Sequence, residues 1–191
     1  MKQSLGFLFK AMSAYAILSA SFSLIGPFLP EAHKLDDPLA SLSVEHVAGH
    51  IVFGMTVGAA GLATRYLILA GSFTILLDSD HFINFLQLEA IPRMGHSIPF
   101  GITSAVIMVL IFGKKDYLLG AVSFAAVLSH ISFDTLLQAG NFPLFTPIYN
   151  QEIIFQNTDW ILIQVAAVGL VGLTTLCKRI KQRKDRSKPT Y

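Results

Sequence analysis

A single cysteine, Cys177, among 191 residues excludes an intrachain disulfide framework and a cysteine-built zinc knuckle. Its place in an apolar run near the C-terminus makes it a small core or lipid-facing residue. Charge is also scarce. Asp, Glu, Lys and Arg make up 14% of the chain against 53% hydrophobic residues, which excludes an ordinary soluble domain. There is no internal repeat, low-complexity stretch or long polar segment. Three catalytic signatures are missing too: the His-Glu-x-x-His metalloprotease helix, the Gly-x-Ser-x-Gly nucleophile elbow and the Walker phosphate loop. The lipid phosphatase set lacks its Pro-Ser-Gly-His element, which Gly95-His96-Ser97 only echoes.

Long apolar runs stand in their place. A membrane-crossing helix takes about 20 apolar residues, fewer when its flanks snorkel. Six segments qualify, at 11–29, 47–64, 66–86, 97–113, 117–138 and 159–177. The expected fold is all-α, a polytopic membrane bundle of about six transmembrane helices with short loops, forming one domain over 1–191. The apolar core of 11–29 is longer than a signal-peptide core, so it is read as an uncleaved N-terminal anchor. Twelve of the fourteen basic residues fall on one side of this threading, leaving only Lys34 and Arg93 on the other. The positive-inside rule then places both termini in the cytoplasm of a cell (inner or plasma) membrane. After the last span, 159–177, the basic tail 178–191 faces anionic lipid. No nucleic-acid partner is expected.

Against this apolar background the ionisable residues stand out, because side chains of this kind are costly in or near hydrocarbon and mark function there. They are His46-Val-Ala-Gly-His50, Asp78-Ser-Asp80-His81, Arg93-Met-Gly-His96-Ser97 and His130-Ile-Ser-Phe-Asp134. In the six-span threading all four groups lie toward the same, extracytoplasmic leaflet. His46 and His50, like His130 and Asp134, are four apart and share a helix face; Asp78 and His81 are three apart. Imidazole with carboxylate suits zinc, with manganese or iron(II) as alternatives. Eight candidate ligands (His46, His50, Asp78, Asp80, His81, His96, His130, Asp134) exceed the need of one tetrahedral ion. Either two ions bind or some of the eight orient the others.

The neighbouring residues have plainer readings beside the functional ones. Arg93 either clamps a phosphate or carboxylate oxygen, or is an interfacial anchor or a partner of Asp78 or Asp80. Ser97 reads as the N-cap of segment four rather than a nucleophile. Gly54 and Gly58 extend the His46–His50 stripe and predict a close helix contact. Glu31 and His33 read as solvated loop residues with Asp36 and Asp37. Glu45 and Asn84 are weaker acid–base or facing candidates. Trp160 and Tyr149 read as interfacial aromatics. The Asn141–Pro147 loop, with Pro143 and Pro147, is a stiff cover for the mouth.

The ordered set His46-x3-His50, Asp78-x-Asp80-His81, Arg93-x2-His96-Ser97, His130-x3-Asp134 and Pro143-Leu-Phe-x-Pro147 resembles the YdjM-like family of membrane-bound metal-dependent hydrolases. The resemblance covers roughly 44–148, which it makes the metal-site core. It implies a metal site built from His46, Asp78, Asp80, His81, His96, His130 and Asp134. This chain carries an additional apolar segment ahead of the first His motif. The His-x3-Asp element is also similar, distantly, to one in zinc-dependent phospholipase C and P1-type nucleases.

The expected function is a membrane-bound metal-dependent hydrolase. One or two ions, zinc first, would activate water against an ester or phosphoester at the extracytoplasmic leaflet. His46, His81 and Arg93 are the expected catalytic groups, and membrane lipid or a lipid-linked phosphoester the expected partner. The alternatives are a divalent metal-ion transporter and a non-catalytic protein stapled by its metal.

Overall fold

In a computed structural model of the chain, the described residues are 5–30, 33–34, 43–86, 89–113, 116–138 and 141–187. Lys2, Glu31, Asp36, Asp37, Lys114, Lys115 and Lys188 lie outside them, as do the side chains of His33 and Lys34. Six α-helices are described: α1 (Leu5–Ser23), α2 (Val44–Ala59), α3 (Thr64–Leu76), α4 (Ile98–Met108), α5 (Tyr117–Leu136) and α6 (Asp159–Arg186). The one sheet among the described residues is a two-residue antiparallel pairing of His33–Lys34 with Glu89–Ala90, too short to form a layer.

Among the described residues, four stretches are long and apolar enough to cross a membrane: Leu5–Phe28, Thr64–Leu86, Tyr117–Leu136 and Asp159–Arg186. The other two fall short of the expected spans. α2 has 16 residues, because the chain turns at Gly61 and Leu62, where φ of Leu62 is 52°, before Ala63 opens α3 in an extended conformation. α4 and its π-helical extension, Val109–Gly113, form an apolar helix over Ile98–Phe112. α6 departs the other way. It runs through the basic segment expected as a tail, with Arg183, Lys184 and Arg186 in its last turn, where cations complement the helix dipole.

α5 is the axis of the bundle. Most of its residues are buried, as expected of a helix that is apolar all round. α1 packs through a stripe at every fourth residue, Ala11, Tyr15, Ser19 and Ser23. Tyr15 stacks on Phe73 of α3 at 4.3 Å and meets Phe100 of α4 edge-on. Ser19 donates from Oγ to the Leu77 carbonyl at 2.6 Å. The segment expected as an anchor is therefore part of the core. Exposed Phe9, Ile17, Ile102, Val106, Leu162, Val165 and Leu173 give the bundle an apolar outer surface, the kind that lipid covers.

At the end holding the N-termini of α3 and α5, Asp116 ties three helices together. It accepts from Tyr66 Oη at 2.6 Å and Lys178 Nζ at 2.9 Å, and pairs with Arg65 Nη2 at 3.0 Å. Burial works to raise the Asp116 carboxyl. The hydrogen bonds from Tyr66 and Lys178, with the charges of Lys178 and Arg65, outweigh it and hold the group below the usual carboxylate range. A depressed folded value stabilises the fold above the unfolded carboxylate value, near 3.9, and that stability is lost as pH falls through the folded value. Asp116→Asn should therefore lower the thermal midpoint in detergent at pH 7. The gap from wild type should shrink as pH is lowered below about 4. A gap independent of pH would mean that the carboxylate charge contributes nothing.

Candidate metal centre

The ends of the helices opposite Asp116 assemble the His and Asp residues. Ser43 caps α2, its Oγ accepting from the His46 N–H at 3.1 Å, which sets His46 and His50 on consecutive turns. Beyond Leu76, α3 tightens into a 3-10 helix over Leu77–Leu86. Residues three apart eclipse in that geometry, so Asp78 and His81 lie one above the other, His81 Nε2 4.0 Å from Asp78 Oδ1. Ser97 caps α4 by accepting from the Phe100 N–H at 3.2 Å, so its capping role is borne out. Gly95 approaches closely: its N–H donates to Asp80 Oδ2 at 2.9 Å. A Cβ there would lie 2.9 Å from that oxygen and 2.8 Å from Ser19 Oγ. His130 and Asp134 sit in the last two turns of α5.

All eight candidate ligands fall into overlapping groups with donor atoms within 4.8 Å of one another. His130 Nε2 is 3.2 Å from Asp78 Oδ1, 3.5 Å from Asp134 Oδ2 and 2.8 Å from His96 Nε2. His96 Nε2 is 3.7 Å from both Asp78 Oδ1 and Asp134 Oδ2. On the other side of Asp134, Oδ1 is 3.2 Å from His50 Nε2 and 3.9 Å from His46 Nε2, and the two Nε2 atoms are 2.9 Å apart.

The protons decide whether a cation fits here. His130 Nδ1 lies 2.6 Å from the Thr74 carbonyl. A carbonyl only accepts, so Nδ1 carries the hydrogen and Nε2 presents a lone pair. His96 Nδ1 faces Asp80 Oδ2 at 3.1 Å, which likewise places its hydrogen on Nδ1. Two bare Nε2 atoms then face each other and two carboxylate oxygens. That arrangement needs a positive charge between them, either an added proton or a metal ion. Asp78 Oδ2, Asp80 Oδ1, Asp134 Oδ1 and His81 Nε2 are buried without hydrogen-bond partners. An imidazole that donates its other N–H to a carbonyl or carboxylate is the usual dress of a metal ligand. The residues fit a divalent ion.

The floor of the centre is closed and its rim open. Side chains of His50, His96, His130, Asp80 and Asp134 are at most 3% exposed, those of His46, Asp78, His81 and Arg93 between 12% and 25%. Arg93 has a partner that was not among those expected: Nη1 lies 3.7 Å from Asp134 Oδ2. Its own backbone is left-handed, φ 55° and ψ 37°. The Asn141–Pro147 loop does cover the site. Phe142 lies against the His96 ring and under the Arg93 guanidinium, and the Leu144 carbonyl accepts from the Ile98 N–H at 2.8 Å. Glu45 is exposed. The Thr74 carbonyl is a functional group with no sequence signal, since its backbone acts rather than its side chain.

Asp80 holds both the Gly95 N–H and the His96 ring with Oδ2. Asp80→Asn should weaken metal binding about 10–100-fold without changing the number of ions bound at saturation, read by competition with a chelating dye. Loss of an ion at saturation would make Asp80 a direct ligand.

The family model of the YdjM inner membrane protein matches residues 46–188. No curated protein and no solved structure matches the chain.

Proposed function

The chain belongs to the YdjM inner membrane protein family, and from the site it encloses we propose that it is a membrane-bound metal-dependent hydrolase of esters or phosphoesters. The observation that carries this reading is the convergence of imidazoles and carboxylates from α2, the α3 extension, the turn before α4 and α5 on one cleft with an open rim. Zinc, manganese or iron(II), held by His46, His50, Asp78, His96, His130 and Asp134, would supply Lewis acidity and a water nucleophile near neutral pH. Thr74 and Asp80 fix the His130 and His96 rings. Arg93, at the rim, holds an anionic oxygen of the substrate bidentately. His46 and His81, whose side chains are 15% and 17% exposed, move protons between the cleft and solvent.

Both termini are taken as cytoplasmic, with Arg65 and Lys178 at the end opposite the cleft on the same side, and the shorter helices α2 and α4 as crossings beside the four long ones. The cleft then faces the extracytoplasmic leaflet, where a lipid-linked substrate is at hand. An apolar groove of about 350 Å³ between α1, α2 and α3 suits an acyl chain. Its walls include Ile51, next to His50, and Leu76, two residues before Asp78. A metal-ion carrier is the competing reading. A carrier needs ligands along its path, yet the described interior between the two ends is apolar, with Val57, Leu69, Phe73, Met108 and Ala126 buried. Polar groups there pair among themselves, Ser123 Oγ donating to Ser104 Oγ at 3.0 Å and Tyr15 Oη to the Ser123 carbonyl at 3.4 Å.

Protein reconstituted in vesicles should hydrolyse a phospholipid or phosphoester probe only when metal-loaded, losing activity with chelator and regaining it with zinc or manganese. Arg93→Lys should raise KM for the phosphoester about tenfold, roughly 1.4 kcal/mol, and leave a neutral ester unaffected. Metal flux across the vesicle that disappears in Asp78→Ala, without hydrolysis, would establish the carrier instead.

A further inference from the structure

We propose that the cleft holds two divalent ions bridged by the Asp134 carboxylate. The inference rests on the metal-centre reading above and concerns how its ligands divide. An imidazole lone pair lies in the plane of its ring, so ring orientation decides which rings can share an ion. His46 and His50 cross at 78° with Nε2 atoms 2.9 Å apart, so their planes cross in one place beside both nitrogens. His96 and His130 cross at 84° with Nε2 atoms 2.8 Å apart and meet at another. Between the pairs the relation is different. His50 stacks on His130 with centroids 3.7 Å apart and planes at 11°. Near-parallel planes do not converge within bonding reach, so these two rings aim at separate ions despite their closeness. The stacking distance falls in the range of about 3.5–4 Å that separates the ions of two-metal hydrolytic sites.

The carboxylates divide along the same line. Asp134 Oδ1 faces His50 and His46, while Oδ2 faces His130 and His96. A carboxylate that turns one oxygen to each imidazole pair is a bridge. Oδ1 is buried and has no hydrogen-bond partner. Asp78 Oδ1 lies nearest His130 and His96, although Asp78 is also within 4.8 Å of His46 and His50. The first ion therefore takes His46, His50 and Asp134, the second His96, His130, Asp78 and Asp134. Asp80 Oδ2 is held by Gly95 and His96 and its Oδ1 faces His81, which leaves Asp80 outside both shells.

The pair also points to a substrate charge. Asp78, Asp80 and Asp134 against Arg93 leave a surplus of two negative charges. One divalent ion cancels that surplus, and a second makes the cleft cationic, which favours an anionic phosphoester over a neutral carboxylic ester.

The test needs no turnover. The full chain in detergent is stripped with chelator, reloaded with Mn(II) and freed of excess metal. It should then contain two ions per chain and give an exchange-coupled electron paramagnetic resonance spectrum, which inorganic phosphate perturbs. His46→Ala, a change at the rim, should leave one ion and an uncoupled six-line signal. One ion per wild-type chain, two uncoupled ions, or a coupled pair surviving in His46→Ala would each overturn the bridged pair and leave the metal-centre reading standing. A spectrum indifferent to phosphate would overturn the substrate charge. A chain that binds no metal at all would overturn the metal-centre reading itself.

Discussion

Replacing Asp134 with alanine is expected to abolish hydrolysis and lower metal affinity on the order of 10³-fold, beyond the 10–100-fold typical of outer-shell partners. Asp134 lies within 3.9 Å of four imidazoles, His46, His50, His96 and His130. The effect on the metal-free fold should be small or even stabilising. Without a cation, Asp78, Asp80 and Asp134 repel one another in a poorly solvated place, with Arg93 the nearby guanidinium, so removing one carboxylate relieves strain. In wild type, metal at about 1,000 times its dissociation constant should add roughly 4 kcal/mol of apparent stability. In Asp134→Ala that gain should vanish while the metal-free thermal midpoint stays level or rises. A variant that keeps its metal-induced shift would remove Asp134 from the coordination shell. A metal-free variant that fails to fold would make Asp134 structural first.

Gly54→Ala should be nearly as damaging, through packing. A Cβ on Gly54 would lie 2.5 Å from the Ala70 carbonyl oxygen and 2.3 Å from Thr74 Oγ1. The carbonyl is helix backbone and cannot turn aside, so α2 and α3 must part. Overpacking of this kind costs about 1–3 kcal/mol. The parting should also reach the metal centre. α2 carries His46 and His50, and the facing stretch of α3 supplies the Thr74 carbonyl that orients His130. Both the thermal midpoint and metal retention should fall. Gly58, whose Cβ would lie 2.5 Å from the Tyr66 carbonyl oxygen, should behave alike. Gly169 and Gly172 of α6 have nothing within 4 Å, and alanine there should be neutral or gain up to about 1 kcal/mol from helix propensity. Equal tolerance at Gly54 and Gly169 would mean that the α2–α3 contact does not set the ligand geometry.

Much of the site was legible because helix periodicity is local. Pairs four apart, His46 with His50 and His130 with Asp134, share a face whatever the fold, and apolar flanks made them conspicuous. The Gly54–Gly58 stripe could be read for the same reason. What escaped depends on how helices cross. Nothing in the linear pattern says that His50 lies flat on His130. Nor does it say that Asp116 meets Arg65, 51 positions away, and Lys178, 62 away. Nor does the pattern say that Arg93 meets Asp134 on α5. Hydropathy also blurred the span edges. It weighs composition and not turns, so it ran α2 past Ala59 and ended α6 at its first cations, although Lys and Arg favour a helix C-terminus.

The most direct measurement is an element-specific anomalous difference map from crystals of the metal-loaded chain, collected at the metal's absorption edge. A peak should lie between His96 Nε2 and His130 Nε2, within about 2.0–2.2 Å of both and of an Asp78 or Asp134 oxygen. An edge map without a peak, with those two nitrogens still in hydrogen-bond contact, would mean that a proton and not a metal joins them, and the hydrolase reading would go with it.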